Sequence, residues 1–252
     1  MNYNKTNYEL ILQTAISCGF EFVDFSTVEF GSPRKQIILR HDIDTSIAMA
    51  YEAAKIDAKY NIKATFALQV SSPLYNPFTI ANIKTVNEIH LLGHNIALHH
   101  RVIPRQTNEE TRQGIIREMQ TMRIFFPYIQ PMFVWHNQSL NNLFNTLEIT
   151  GIVNAYNASP ARRMHYISDS VLRNKPEDFL TVLNKHKFIQ MLLHPTVWMS
   201  GKSNIVAMFT YALSDIMREC GYEFMLNPVW AEKFPNGIPK EFLDKLEAIL
   251  DD

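Results

Sequence analysis

Along most of this chain, segments with the β-branched and aromatic content of strands alternate with segments of helical periodicity, and this alternation is what most constrains the fold. A helix over about 5–19, with Leu10, Ile11, Ala15 and Ile16 at helical spacing, precedes a short FEFVDF strand. QIILRHDID comes next, then a helical stretch from near Ser46, the strand KATFALQV, a helix over about 79–92 and the strand HNIALHH. The following helix opens with a capping box of Thr107 and Glu110, and its Ile115, Met119, Met122 and Phe126 share one face. PMFVWHNQS then leads to a helix capped by Ser139 with a stripe of Leu140, Phe144 and Leu147. Strands GIVNAY, HYIS and KFIQMLLHP and a last helical region over about 202–219 complete the order. Repeated strand and helix units of this kind predict an α/β fold with a mostly parallel sheet, open or closed into a barrel.

No repeat or Gly/Ser linker divides the 252 residues, so one domain over 1–252 is expected, with its motif-bearing core at about 36–200 and C-terminal helices over about 202–252. The 24 Lys and Arg residues nearly cancel the 25 Asp and Glu residues, which removes the broad basic field that nucleic-acid binding needs. Glu9, Gln13 and Thr14 interrupt the apolar residues of the N-terminal segment, leaving no signal-peptide core, and no stretch approaches the roughly 20 apolar residues of a membrane span. A cytoplasmic location is therefore expected. Cys18 and Cys220 are expected to be buried, reduced thiols rather than a disulfide.

The chemistry is concentrated where the apolar strands finish. IIL leads to Asp42 and Asp44, IAL to His99 and His100, MFVW to His136 and Asn137, and IQMLL to His194. In a parallel sheet or barrel the C-terminal strand ends lie together and build the site, so these four places are expected to converge. Asp42 and Asp44 are two residues apart in an extended segment, and both carboxylates project to one side. Two carboxylates with several imidazoles form a ligand set for zinc, iron, cobalt or manganese. Each residue also has a plainer reading. Asp42 or Asp44 alone fits a cap for the helix near Ser46, Arg40 a simple salt-bridge partner, and His90, His165 and His186 surface or structural roles. Trp135 and Trp198 fit the core as well as a pocket wall, and the methionines at 119 and 122 fit helix packing.

The motifs RHDID, GHNIALHH, VWHNQS, YISDS and LLHPTVW together resemble the polysaccharide deacetylase group (carbohydrate esterase family 4, NodB-homology), over about residues 36–200, in a divergent cytoplasmic branch. The resemblance implies a distorted (β/α)7 barrel, with Asp42 similar to the general base, Asp44 and His99 similar to metal ligands, and His194 similar to the general acid. The position of the family's second metal histidine is Ile103, which cannot coordinate a metal, so His136 is taken as the replacement ligand. The family's adjacent acidic pair is split here by Ile43, which leaves open which of Asp42 and Asp44 does which task. Asp169 in YISDS orients a histidine or caps a turn.

The expected activity is metal-dependent removal of an acetyl or similar acyl group from an N-acylated sugar or sugar precursor, zinc being the first choice of metal. Arg40, Trp135, Tyr166, Asp169 and Trp198 are candidates for binding the substrate, the aromatic ones by stacking on a sugar face. With no export signal read, a nucleotide-linked or lipid-linked sugar is favoured over a cell-wall polymer. Two other readings stand beside this one. One is an inert sugar-binding or scaffold protein, motivated by Ile103, and the other is hydrolysis of a different C–N bond such as a cyclic amide.

Overall fold

The computed structural model describes residues 1–137, 146–157, 162–237 and 239–241. Helix α1 (Lys5–Ser17) leads into β1 (Phe20–Val23), β2 (Lys35–Ile43) and α2 (Ile47–Lys59). Next come β3 (Thr65–Leu68), α3 (Ile80–Leu91), β4 (Asn95–Arg101), α4 (Asn108–Phe125) and β5 (Met132–His136). After β6 (Val153–Asn154) and β7 (His165–Ser168) follow α5 (Pro176–Lys185), β8 (Phe188–Leu193), α6 (Pro195–Met199), α7 (Ile205–Met225) and α8 (Pro228–Lys233). The helix expected from Ser139 falls mainly on residues outside those described. Helices α5 and α6 have no counterpart in the sequence reading, and α5 begins with Pro176 at its first turn, a strong start signal.

Among the described residues the sheet has eight strands, all paired in parallel, in the order β6-β5-β4-β3-β2-β8-β7, with β1 alongside the first half of β2. Seven strands along one path, with described helices between β2 and β3, β3 and β4, β4 and β5, and β7 and β8, make the distorted (β/α)7 architecture expected. The path is strongly curled. Tyr156, just past β6, accepts a hydrogen bond from Arg40 on β2 at 3.1 Å. Strands about 4.8 Å apart in a flat sheet would hold these two strands roughly 19 Å apart. Tyr166 on β7 hydrogen-bonds Tyr156 in turn, so the two ends of the path face each other across the interior.

Alternation along the strands sorts the side chains into two layers. Outward residues such as Ile37, Leu39, Phe66, Leu98, Phe133 and Met191 join the large core under the helices. Inward residues begin with a small cluster of Ala67, Ala97, Met132, Val134 and Ala155, whose modest volumes let the sheet curl tightly. Two residues further along the same inward rows stand Gln69, His99 and His136, and this is how the fold places its polar groups at one mouth. Local signals fix the strand ends. Ser46 caps α2 by accepting from the Met49 amide at 3.2 Å, which excludes the helix-cap reading of Asp42 and Asp44. Gly93, at φ +98°, makes the turn from α3 into β4 that a side chain would strain. The capping box of Thr107 and Glu110 is present at the start of α4.

Cys18 is half-buried and Cys220 exposed, and both are free, so neither is the buried thiol expected. Among the described residues no helix is long and apolar enough to cross a membrane.

Candidate active site

Asp44 is the hub of the mouth. His99 Nε2 and His136 Nδ1 each lie 3.1 Å from its Oδ1, and His194 Nε2 lies 3.6 Å from its Oδ2. One ligand atom each from Asp44, His99 and His136 falls within 4.8 Å of the others. These donors come from the ends of β2, β4 and β5, three strands whose register brings His99 opposite Val134 and leaves His136 one inward step beyond. Two imidazole nitrogens and a carboxylate oxygen directed at one point fit a divalent cation of the zinc type. Burial works against a charged Asp44, yet the hydrogen bonds from His136 and His99 hold its carboxyl well below the usual carboxylate range. Two residues absent from the sequence reading steady the turn that carries it. Tyr75 donates to the Ile43 carbonyl at 2.7 Å and accepts from the Gln69 amide at 2.9 Å, and the Gln69 side chain reaches Asp44 Oδ1 at 3.4 Å.

Asp42 lies deeper, one inward step before Asp44. Its Oδ2 is 3.8 Å from His99 Nε2 and accepts from Arg40 Nη2 at 3.1 Å, while Arg40 Nε stands 2.9 Å from its Oδ1. Arg40 and Asp42 are 0% and 2% exposed, so each charge depends on the other. Burial opposes the Arg40 charge, but Asp42 first and then Tyr156 keep the guanidinium firmly protonated. The guanidinium carbon also sits 5.2 Å from the Tyr156 ring centre. Tyr156 is a site residue the sequence reading missed, although it ends the apolar GIVNAY stretch as the other site residues end theirs.

Opposite, at the end of β8, His194 is held from behind by Asp169. The His194 Nδ1 is 2.5 Å from Asp169 Oδ1, and Asp169 Oδ2 accepts from the His194 amide at 2.9 Å and from Trp198 Nε1 at 2.7 Å. Of the two readings of Asp169, orienting a histidine is the one this geometry carries. Burial alone would strip the His194 charge, but Asp169 outweighs it, with Asp44 and Asp42 adding to the effect, and pushes the pKa up to about 10. The Asp169 carboxylate thus favours the protonated form of the His194 ring.

The remaining expected residues differ in how far they reach the cavity. Trp135 and Trp198 are each 1% exposed; Trp135 borders the cavity and Trp198 is not among the residues that line it. Trp135 packs against Phe133 and His100 on the helix side of β5, and Trp198 against Tyr3, Tyr8 and Phe179, because odd and even positions of a strand face opposite layers and the indole of Trp198 is turned to Asp169. Tyr166 is part-exposed with its hydroxyl at Tyr156. His100 turns away from the mouth and pairs with Glu118 of α4 at 2.6 Å. Ile103, 52% exposed, lies in the turn after β4. Asp42, Asp44, His99, His136, Tyr156 and His194 all border one cavity of about 620 Å³.

No protein-family model and no curated protein matches the chain. Solved structures do. A CE4 family pseudoenzyme from Bacillus anthracis is 16% identical with a TM-score of 0.45, covering 76% of this chain and 62% of that one. Peptidoglycan deacetylase PdaC from Bacillus subtilis, in a mutant form, is 17% identical with a TM-score of 0.44, covering 78% of this chain and 85% of that one. The chitin deacetylase of the fungal pathogen Colletotrichum lindemuthianum is 15% identical with a TM-score of 0.42, covering 73% and 81%. The chain thus spans less than two thirds of the pseudoenzyme it matches.

Proposed function

We propose that this protein is a metal-dependent amide hydrolase that removes an acyl group, acetyl in the simplest case, from an N-acylated sugar or sugar precursor. The observation that carries the proposal is the convergence of Asp44, His99 and His136 within 4.8 Å of one another, between the buried Asp42 carboxylate and the His194 ring that Asp169 holds. Asp44, His99 and His136 would hold the cation. A bound zinc-type ion polarises the amide carbonyl and lowers the pKa of water from 15.7 toward about 7. Asp42, fixed by Arg40 and facing His99, takes the proton of the attacking water. His194, held in one orientation by Asp169, which favours its protonated form, gives its Nε2 proton to the departing amine, across the ligand set from Asp42.

The replacement of the expected histidine by Ile103 is answered by His136, which supplies a third donor from a neighbouring strand. Acetate release from a panel of N-acetylated sugars, measured on protein loaded with zinc or cobalt, tests the reading. Asp42→Ala is expected to lower the rate by about 100-fold or more with bound metal unchanged. Acetate release that survives Asp42→Ala contradicts the base assignment, and ring opening of a cyclic amide without acetate release contradicts the substrate class.

A further inference from the structure

Resting on the hydrolase reading, we infer that the N-acylated sugar carries an oxyanion, phosphate or carboxylate, which Arg101 and Arg173 bind in the cavity. The two arginines come from separate walls, Arg101 from the last residue of β4 and Arg173 from the turn after β7, strands four places apart in the sheet path, and both line the cavity. Arg101 continues the inward row of Ala97 and His99, one step beyond His99 and opposite His136 in the register of β4 and β5. Arg173 ends the turn that begins at Asp169: the Leu172 amide donates to the Asp169 carbonyl at 2.8 Å and the Arg173 amide to the Ser170 carbonyl at 3.2 Å. The residue that holds His194 thus also fixes the backbone from which Arg173 extends.

Among the described residues, the three carboxylates that border the cavity are already engaged, Asp42 with Arg40, Asp169 with His194, and Asp44 with His99 and His136. Neither Arg101, which is half-buried, nor the exposed Arg173 forms an ion pair among those residues. A guanidinium presents a planar fork of donors that matches phosphate and carboxylate oxygens, and a cleft with low-dielectric walls focuses the field of such charges on whatever enters it. A neutral sugar would leave both forks to water. The floor keeps a place for the uncharged part of the ligand, since Gln69 lines the cavity at 1% exposed with its Oε1 unpartnered.

Isothermal calorimetry on the full chain loaded with zinc compares a neutral probe, the methyl glycoside of N-acetylglucosamine, with anionic ones: N-acetylglucosamine 1-phosphate, the 6-phosphate and N-acetylmuramic acid. The tightest anionic probe is expected to bind at least about tenfold more tightly than the neutral one, and the preference to shrink as sodium chloride rises from about 50 to about 500 mM. The probe that leads identifies phosphate or carboxylate as the group. Arg101→Gln and Arg173→Gln are each expected to weaken that probe at least about fivefold and to leave the neutral probe within about twofold, with zinc content and circular dichroism unchanged. Arg173 is exposed, so its substitution decides the matter should Arg101→Gln fail to fold. Arg117→Gln, at an exposed arginine of α4 outside the cavity, is expected to leave every affinity as it was. Equal affinity for neutral and anionic probes, an equal loss from Arg117→Gln, or a preference that survives both cavity substitutions and so belongs to the metal alone overturns the inference. Binding needs no turnover, so an arginine-dependent preference without acetate release from any probe upholds the oxyanion site and sinks the hydrolase reading. Acetate release without that preference does the reverse.

Discussion

Asp169 accepts hydrogen bonds from the His194 ring, the His194 amide and the Trp198 indole while it is itself fully buried. Its charge, more than its shape, favours the protonated form of His194. Asp169→Asn preserves much of the hydrogen bonding but removes that charge, and is expected to lower kcat by about 100-fold while zinc content stays at the wild-type level; a loss of metal in step with activity would show that Asp169 acts only on the fold. A second histidine shows the opposite environment. His94 is buried, accepts from the Ala64 amide through Nδ1 at 3.2 Å and meets the Ala54 carbonyl with Nε2 at 2.9 Å, the pattern of a neutral ring. Burial lowers its pKa below the ordinary 6.5. The unfolded chain therefore binds this proton first, and the stability His94 contributes is complete above about pH 6.5 and is lost as pH falls below it. Urea unfolding between pH 7 and 5 is expected to lose up to about 1.4 kcal/mol per pH unit through this group, and His94→Gln to flatten the slope by that amount. An unchanged slope in His94→Gln would contradict the neutral assignment.

Among the elements, α4 shows how a helix that carries no site residue still supports the site. It packs against β4, buries Ile115, Met119 and Met122 in the core, and its Glu118 fixes His100, the outward neighbour of His99. Its interior glycine, Gly114, has room for a side chain: a methyl built there meets only His100 Cε1 at 3.6 Å, ordinary contact distance. Gly114→Ala is expected to stabilise the protein by about 0.5 to 1 kcal/mol in thermal or denaturant unfolding, because alanine loses less backbone freedom in a helix. Destabilisation would mean that the His100 and Glu118 pair tolerates no displacement. The capping box and apolar stripe of α4 were legible because both are short-range signals. By contrast α5, with Phe179, Val182 and Leu183 buried on one face and Pro176 at its start, was legible by the same short-range signals and was passed over.

At the scale of the whole molecule, the convergence of Asp42, Asp44, His99, His136 and His194 was legible because a parallel sheet gathers the C-terminal ends of its strands, whatever their separation along the chain. The same rule reaches Tyr156, but its strand, Val153–Asn154, is so short that its end gives a weak signal. What the sequence did not give away were orientations set by tertiary packing. The inward Arg40 and Asp42 pair, the burial of Trp135 and Trp198, and the tyrosine that clamps the Asp44 turn all depend on which layer each side chain enters, and that is decided by curl and register rather than by local pattern. Ile103 shows the other side of this, since the motif position it occupies left the ligand set one short and the rule that strand ends gather pointed to His136, which stands at the end of β5 beside the end of β4.

Zinc content after loading and exhaustive dialysis tests that ligand set most directly, measured by atomic emission on the unaltered chain, on His136→Ala and on Ile103→Ala. The site described predicts about one equivalent in the unaltered chain and in Ile103→Ala and less than about a tenth in His136→Ala. Less than about a tenth of an equivalent in the unaltered chain, or full retention by His136→Ala, would contradict a cation held by Asp44, His99 and His136.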